Sequence, residues 1–310
     1  MNGGELDFVR WLQRSQQKLR AWTKLAVGDD MAVLDIDGAA VLVTTDMLLD
    51  GVHFSTATHS LEAIGGKAVA CSLSDCAAMA VRPLAAAVSV ALNDRMGAAD
   101  ARRLVGAMRR AADAFDCDLV GGDTTRWSRP LAIDVCMIAS PYPGIEPVRR
   151  GGARPGDALV VTGPLGGSLR GRHLTFTPRV REARRIAETL GPSLHALMDI
   201  SDGLSLDVLR MCEASGTGAL LEEEALDCVI SEAAREAAAA DGRSPLVHAL
   251  HDGEDFELLA AVAPDAATPA RLAELGLCRV GQVRDSDLRL VDRGGRVRAL
   301  EPRGYDHFDG

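Results

Sequence analysis

The residues with the most chemistry in them are aspartates, and they recur in one kind of place. Gly28-Asp29-Asp30, Thr44-Thr45-Asp46, Leu73-Ser74-Asp75, Gly121-Gly122-Asp123-Thr124-Thr125 and Asp199-Ile200-Ser201-Asp202-Gly203 each follow a small or apolar stretch. Carboxylates gathered at the ends of buried elements need something positive to collect them. Magnesium suits the pattern, because it takes one or two carboxylates, keeps several waters and completes its shell with phosphate oxygens. Aspartates spread along the chain therefore point to several ions around one polyphosphate, and so to phosphoryl transfer. Other phosphate and hydrolase signatures are missing. Gly65-Gly66-Lys67 is followed by Ala68, which rules out a P-loop, and no H-E-x-x-H, G-x-S-x-G or kinase H-R-D set occurs.

Each motif also has a plainer reading. In Gly121–Thr125 the paired glycines offer backbone N–H groups to a phosphate and Asp123 reaches a metal on it; the alternative is an ordinary turn after a strand. Thr44-Thr45-Asp46 reads as a strand end with Asp46 projecting from the sheet edge, or as a cap on a turn. Asp75 falls inside a predicted helix among alanines, where an unpaired carboxylate is costly. Lys67, about two helical turns earlier, is either a phosphate-facing cation or a surface lysine, and the surface reading is preferred. Asp199 and Asp202 are expected to project to one side of a strand end, unless Ser201 or Asp202 caps the next helix. Gly253-Glu254-Asp255-Phe256-Glu257 is an acidic loop or part of a site. Tyr305 stacks on an aromatic ligand or packs in the core. His53 is the histidine nearest a strong motif.

These residues need a scaffold, and hydrophobic periodicity supplies one. A helix is expected over Phe8–Leu25. Strands follow at Met31–Asp35 and Ala40–Thr45, joined by the hairpin signal Asp37-Gly38. A helix over 61–80 is expected to stop near Arg82-Pro83. Next come a strand Leu84–Leu92, a helix Ala98–Phe115, a short strand to Gly121 and a strand Leu131–Ala139. Prolines and glycines crowd 140–156, so a junction is placed there, between an N-terminal domain (1–140) and a C-terminal domain (141–310). The second half carries expected strands at Ala158–Thr162, Ala196–Ile200, Ala219–Leu221, Phe256–Val262, Arg279–Val283 and Leu288–Val291. Its expected helices are Arg179–Leu190, Leu204–Ala214 and Ser231–Ala240. The fold class is α/β or α+β, in two domains.

Composition narrows the function. The chain has 310 residues, 47% hydrophobic and only 4% aromatic, enough for a substantial aliphatic core. A formal charge of −10 repels a nucleic-acid backbone, whereas a nucleotide remains bindable through metal ions. The seven cysteines show no C-x-x-C spacing and read as small buried thiols. Their odd number and the lack of a signal-peptide pattern suggest a reducing, cytoplasmic setting. No apolar run approaches the roughly 20 residues that span a bilayer.

Taken in order, the strings VGDDMAVL, TTDMLLDGVHF, KAVACSLSDCAAMAVRP, LVGGDTT, RRGGARPGDALVVTG, MDISDGLSLD, GEDFEL and GYDHF resemble the thiamine-monophosphate kinase family. That family shares a superfamily with aminoimidazole ribonucleotide synthetase and selenophosphate synthetase. The strings span residues 27 to 308. The resemblance implies an aminoimidazole ribonucleotide synthetase-like fold, with an N-terminal domain that pairs with its twin in a homodimer. It implies transfer of the γ-phosphoryl group of ATP to thiamine monophosphate, with several Mg2+ ions. By position it makes Asp30, Thr44, Thr45, Asp46, Asp75, Asp123, Asp199 and Asp202 metal ligands. Gly122, Asp123, Arg150 and Ser201 become ATP contacts, and His53, Glu254 and Tyr305 thiamine contacts; Asp46, Asp75, Asp123 and Arg150 carry the catalysis. One departure stands out: between Gly167 and Arg172 the chain is shorter than the family pattern, which bears on the acceptor. Two rival readings stay open, a synthetase-type relative acting on another acceptor and a non-catalytic nucleotide- or thiamine-binding protein.

Overall fold

A computed structural model of the chain describes residues 4–16 and 18–305. The last part of the GYDHF string, 306–308, lies outside the described residues. Two mixed sheets carry the structure. The first has six strands in the order β1-β2-β3-β6-β4-β5: β1 Thr23–Leu25, β2 Ala32–Ile36, β3 Ala39–Leu49, β4 Val81–Asn93, β5 Asp118–Trp127 and β6 Ala132–Pro141. Helices α1 (Glu5–Ser15), α2 (Leu61–Ala78) and α3 (Ala98–Asp113) belong to this half. The second sheet runs β13-β12-β9-β11-β7-β10-β8, from β7 Ala158–Val161, β8 Leu194–Ile200, β9 Gly218–Glu222, β10 Glu257–Val262, β11 Cys278–Arg284, β12 Leu288–Val291 and β13 Val297–Ala299. Its helices are α4 Val180–Leu190, α5 Leu204–Ser215, α6 Glu223–Leu226, α7 Glu232–Asp241, α8 Pro245–His251 and α9 Pro269–Leu275. Each sheet contains one parallel pairing, β4 with β5 and β9 with β12; the other pairings are antiparallel.

Several sequence expectations change. The expected helix over Phe8–Leu25 stops at Ser15, because Thr23–Leu25 pairs with β2 instead. Thr44-Thr45-Asp46 lies inside β3 rather than at its end, because β6 continues to pair with β3 as far as Leu49. β3 is also an interior strand, so Asp46 does not project from a sheet edge. Gly121–Thr125 is not a turn but part of β5, held in register along β4 from Asp118 to Trp127. Pro83 does not precede a strand but sits within β4, at an irregularity where its missing N–H is tolerated. Helices α8 and α9 have no counterpart in the expected elements. Each is 7 residues long, starts at a proline and is capped by Ser244 or Thr268, too short for a clear periodic signal.

Helix α2 ties the halves together. It begins at Ser60, whose hydroxyl accepts the Ala63 N–H at 3.2 Å. Its residues are apolar or small on every side, and thirteen of them are buried, as expected of a helix covered all round. It packs on β3, β4 and β6 of the first sheet and on β8 and α4 of the second half. One hydrophobic core accordingly mixes Met31, Leu42 and Val69 with Val160, Leu197 and Leu258.

At Gly122 the backbone φ is 148°, and an added Cβ would lie 1.8 Å from the Val88 carbonyl oxygen. Only glycine lets β5 lie this close to β4. Gly122→Ala is expected to cost roughly 2 kcal/mol or more of stability, measured by urea unfolding; an unchanged midpoint would show that β5 relaxes freely.

Candidate active site

The site grows from the few polar side chains on α2. Ser72 donates to Asp46 Oδ2 of β3 at 2.5 Å, and Ser74 donates to Asp199 Oδ2 at the end of β8 at 2.6 Å. Asp75 accepts from the Thr44 hydroxyl of β3. Thr44 and Asp46 share one face of β3 by strand alternation, the face that α2 covers. Asp30 reaches the same place from the loop before β2, where Arg150 Nη2 donates to its Oδ1. The Arg150 N–H is bound by the Asp29 carboxylate, at 3.2 and 3.3 Å.

Asp30, Asp75 and Asp199 come from three separate elements, and each offers a carboxylate oxygen within 4.8 Å of the other two. Burial pushes the Asp75 and Asp199 carboxyls well up, and like charge adds to it: Asp46, Asp199 and Asp30 act on Asp75, and Asp30 acts on Asp199. Burial also raises Asp46, against the Ser72 hydrogen bond. Asp29 is pushed up to about 6, first by burial and then by Asp30. Asp30 Oδ2 is buried and has no hydrogen-bond partner. Three crowded, mutually repelling oxygen donors with one orphaned acceptor fit a hard divalent cation.

Beside this cluster lies a cavity of about 280 Å³ lined by Asp46, whose charge acts on Asp75 of the cluster. Its walls include His53, Ser201, Asp202, Glu254, Phe256 and Tyr305, so the residues expected to touch thiamine converge with Ser201. Two larger cavities, of about 550 and 490 Å³, contain none of the expected site residues, and another, of about 390 Å³, shares only Tyr305 with them.

Other expected residues go elsewhere. Asp202 pairs with Arg210 and not with the three acids. Asp199 and Asp202 stand three positions apart across a strand end, so alternation does not put them on one side. Neither Ser201 nor Asp202 caps α5; instead Asp207, on the first turn of α5, accepts both their N–H groups at 3.1 Å. Thr45 lies on the outer face of β3, donating to Asp134 at 2.9 Å. Asp123 is exposed on β5, in register with Ser89, and through it with Asp134 and Met47 on that outer face. Gly122 and Asp123 are therefore separated from the cluster by three strand spacings, on the order of 14 Å.

The preferred surface reading of Lys67 is wrong. Its side chain is 0% exposed, and its ammonium donates to both Glu254 oxygens at 2.7 Å and to the His53 carbonyl at 2.6 Å. A lysine on a helix without a polar face had to find a buried acid, and that was the available clue. Ser72, Ser74 and Asp207 gave no such signal, since isolated serines and helical aspartates are common. The short segment after Gly167 folds as two 3₁₀ turns, Ser168–Arg170 and Arg172–Leu174. Arg172 pairs from there with Asp255 at 2.6 Å and Glu257 at 3.1 Å.

A family model described as AIR synthase related protein, N-terminal domain, matches residues 28–140. Thiamine-monophosphate kinase of Rhodopirellula baltica is 40% identical over 289 residues, covering 90% of this chain and 89% of its own. The chain belongs to the thiamine-monophosphate kinase family. The family member from Aquifex aeolicus is 29% identical over 302 residues, with 91% of this chain and 92% of its own covered. A solved structure of the family, described as AaThiL complexed with AMPPCP and TMP, aligns with a TM-score of 0.83 at 27% identity, over 98% of this chain and 97% of that one.

The raised carboxyls fix a pH dependence. A carboxyl raised in the fold holds its proton more tightly there than in the unfolded chain, so its ionisation costs stability as pH rises from the ordinary value through the folded one. Burial also raises Asp207 and Asp255 to about 7, which with Asp29 at about 6 sets a window from about 4 to about 7. In EDTA the thermal midpoint is expected to fall across that window, and Mg2+ to restore it most at the upper end. Asp75→Asn is expected to raise the midpoint in EDTA and to remove the Mg2+ increment. Calorimetry with and without Mg2+ checks both; an undiminished increment in Asp75→Asn would rule out the cluster as a metal site.

Proposed function

We propose that this protein transfers the γ-phosphoryl group of ATP to the phosphate of thiamine monophosphate, giving thiamine diphosphate. The observation that carries the reading is the convergence of Asp30, Asp75 and Asp199 beside the cavity that holds His53, Glu254 and Tyr305. Asp30, Asp75 and Asp199, with Asp46 and Thr44 next to them, would hold Mg2+. Bound Mg2+ supplies the positive charge that offsets repulsion between donor and acceptor phosphates.

The acceptor phosphate is already anionic at neutral pH, so no protein nucleophile or general base is required. What the chain must supply is position and charge. Arg150 is suited to an ATP contact, since it is mostly buried and its Nε donor has no partner. Burial works against its charge, and Asp30 beside it keeps that charge in place. Ser201 lies at the same cavity. His53, Glu254 and Tyr305 would hold the thiamine part, and Val52 and Phe256 would exclude water around it.

Asp123 and Gly122 require a second subunit on this reading. β5 is an edge strand with nine of its ten residues exposed, and the adjoining outer face leaves Met47 62% exposed and Ile138 37% exposed. Pairing with a second copy along this surface would cover it and carry Asp123 towards a partner's acid cluster. Among the described residues no helix is long and apolar enough to cross a membrane; a cytoplasmic homodimer is the form proposed.

The test is a coupled assay with ATP, Mg2+ and thiamine monophosphate, run beside free thiamine. Thiamine diphosphate is expected from the monophosphate alone; ADP release only with another acceptor would defeat the reading. Asp46→Asn and Asp123→Asn are each expected to lose roughly 100-fold or more in kcat. Co-refolding the two inactive variants is expected to return about a quarter of wild-type activity, since half the dimers formed carry one intact site of two. No recovery in a sample that sediments as a dimer would place Asp123 outside a shared site.

A further inference from the structure

Lys67 is the most thoroughly buried cation among the described residues, and none of the roles above uses it. It lies on α2 eight positions before Asp75, yet its ammonium meets none of the acids of the cluster and binds two residues that line the cavity. It donates at 2.7 Å to both oxygens of Glu254, in the loop before β10, and at 2.6 Å to the carbonyl of His53, in the loop after β3. These loops belong to different halves of the molecule, and both form walls of the same cavity.

Glu254 needs such a partner. Its backbone is at φ 61° and Phe256 is at φ 50°, both left-handed values that side chains rarely adopt. Strain of that kind persists only where the surroundings over-determine it. The Glu254 N–H is held by the Ser201 carbonyl at 2.6 Å, and the next residue, Asp255, is held by Arg172 at 2.6 Å and by the Gly166 N–H at 2.8 Å. Backbone and neighbour are thus anchored from the second half alone. Among the described residues, Lys67 alone ties the Glu254 carboxylate to the first half, and it fixes the His53 backbone with the same charge.

We propose that Lys67 is a positioning residue for the phosphate acceptor: its buried ammonium clamps the Glu254 carboxylate to the His53 loop and sets the spacing between the two walls that hold the acceptor's organic part. The inference rests on the acceptor site proposed above. It predicts an effect on the acceptor and not on ATP, because Lys67 holds two residues of the cavity lining and none of the acids of the cluster.

Calorimetric titration separates the possibilities, using thiamine monophosphate and a non-hydrolysable ATP analogue with Mg2+ on the intact protein. Wild-type protein that binds the ATP analogue but no thiamine monophosphate would refute the proposed function itself. Given wild-type binding of both, Lys67→Met is expected to weaken thiamine monophosphate at least about tenfold and the ATP analogue less than about twofold. Lys67→Arg, which keeps charge and donors, is expected to recover part of the loss. Equal loss of both ligands, or no loss of either, overturns the proposal, as does a conservative variant no better than Lys67→Met. If Lys67→Met does not fold, Lys67→Gln replaces it. The amide keeps a hydrogen-bond donor towards Glu254 but drops the charge, and the same split between the two ligands is expected.

Discussion

Everything at the site depends on the burial of α2. A helix enclosed on all sides must pair every polar group it carries, because an unpaired one costs several kcal/mol. α2 carries Lys67, Ser72, Ser74 and Asp75 in the enclosed stretch, and each finds its partner off the helix: Glu254 and the His53 carbonyl in two loops, Asp46 and Thr44 on β3, and Asp199 on β8. The helix is therefore a polar spine inside an apolar sleeve. It joins β3 of the first sheet to β8 and the loop before β10 of the second, and puts the acid cluster and the ligand cavity at fixed places along one axis.

The same constraint explains why the acids remain close despite their repulsion. Asp75 and Asp199 are costly to ionise where they lie, and Asp46 and Asp29 are displaced in the same direction. Arg150 offsets part of that charge through Asp30, and serine and threonine hydroxyls orient the rest. Such a site is unfavourable to folding and favourable to a cation, the usual exchange between stability and function at a binding site. The second half adds a separate ion network, in which the fully buried Asp255 and nearly buried Glu257 meet Arg172 and Arg179. Through Asp255 it braces the strained loop that presents Glu254, and the shortened segment after Gly167 supplies Arg172 to it.

Membership of the thiamine-monophosphate kinase family and this geometry meet at the cavity. The face that remains is the outer side of the first sheet with the open edge β5, where Thr45 and Asp134 lie on the opposite face from the three-acid cluster and Asp123 lies three strands away from β3. Two groups of acids on opposite faces of one sheet are hard to reconcile with a single nucleotide in one subunit, and the proposed pairing of subunits would resolve it.

The sequence by itself determined the type of most elements and the identity of the acids, because hydrophobic period and residue chemistry are local properties. Asp75 was legible as an anomaly, a carboxylate among alanines in a helix, and so was the order of the motifs. Tertiary structure decided which acids meet. Asp199 joins Asp30 and Asp75, while Asp202, three residues on, turns to Arg210, and no local rule separates them once the strand ends. It decided that Gly121–Thr125 is strand and not turn, because β4 supplies the ladder. It also decided that Lys67 is buried and turned towards Glu254, because a helix's surroundings are set by residues more than a hundred positions away.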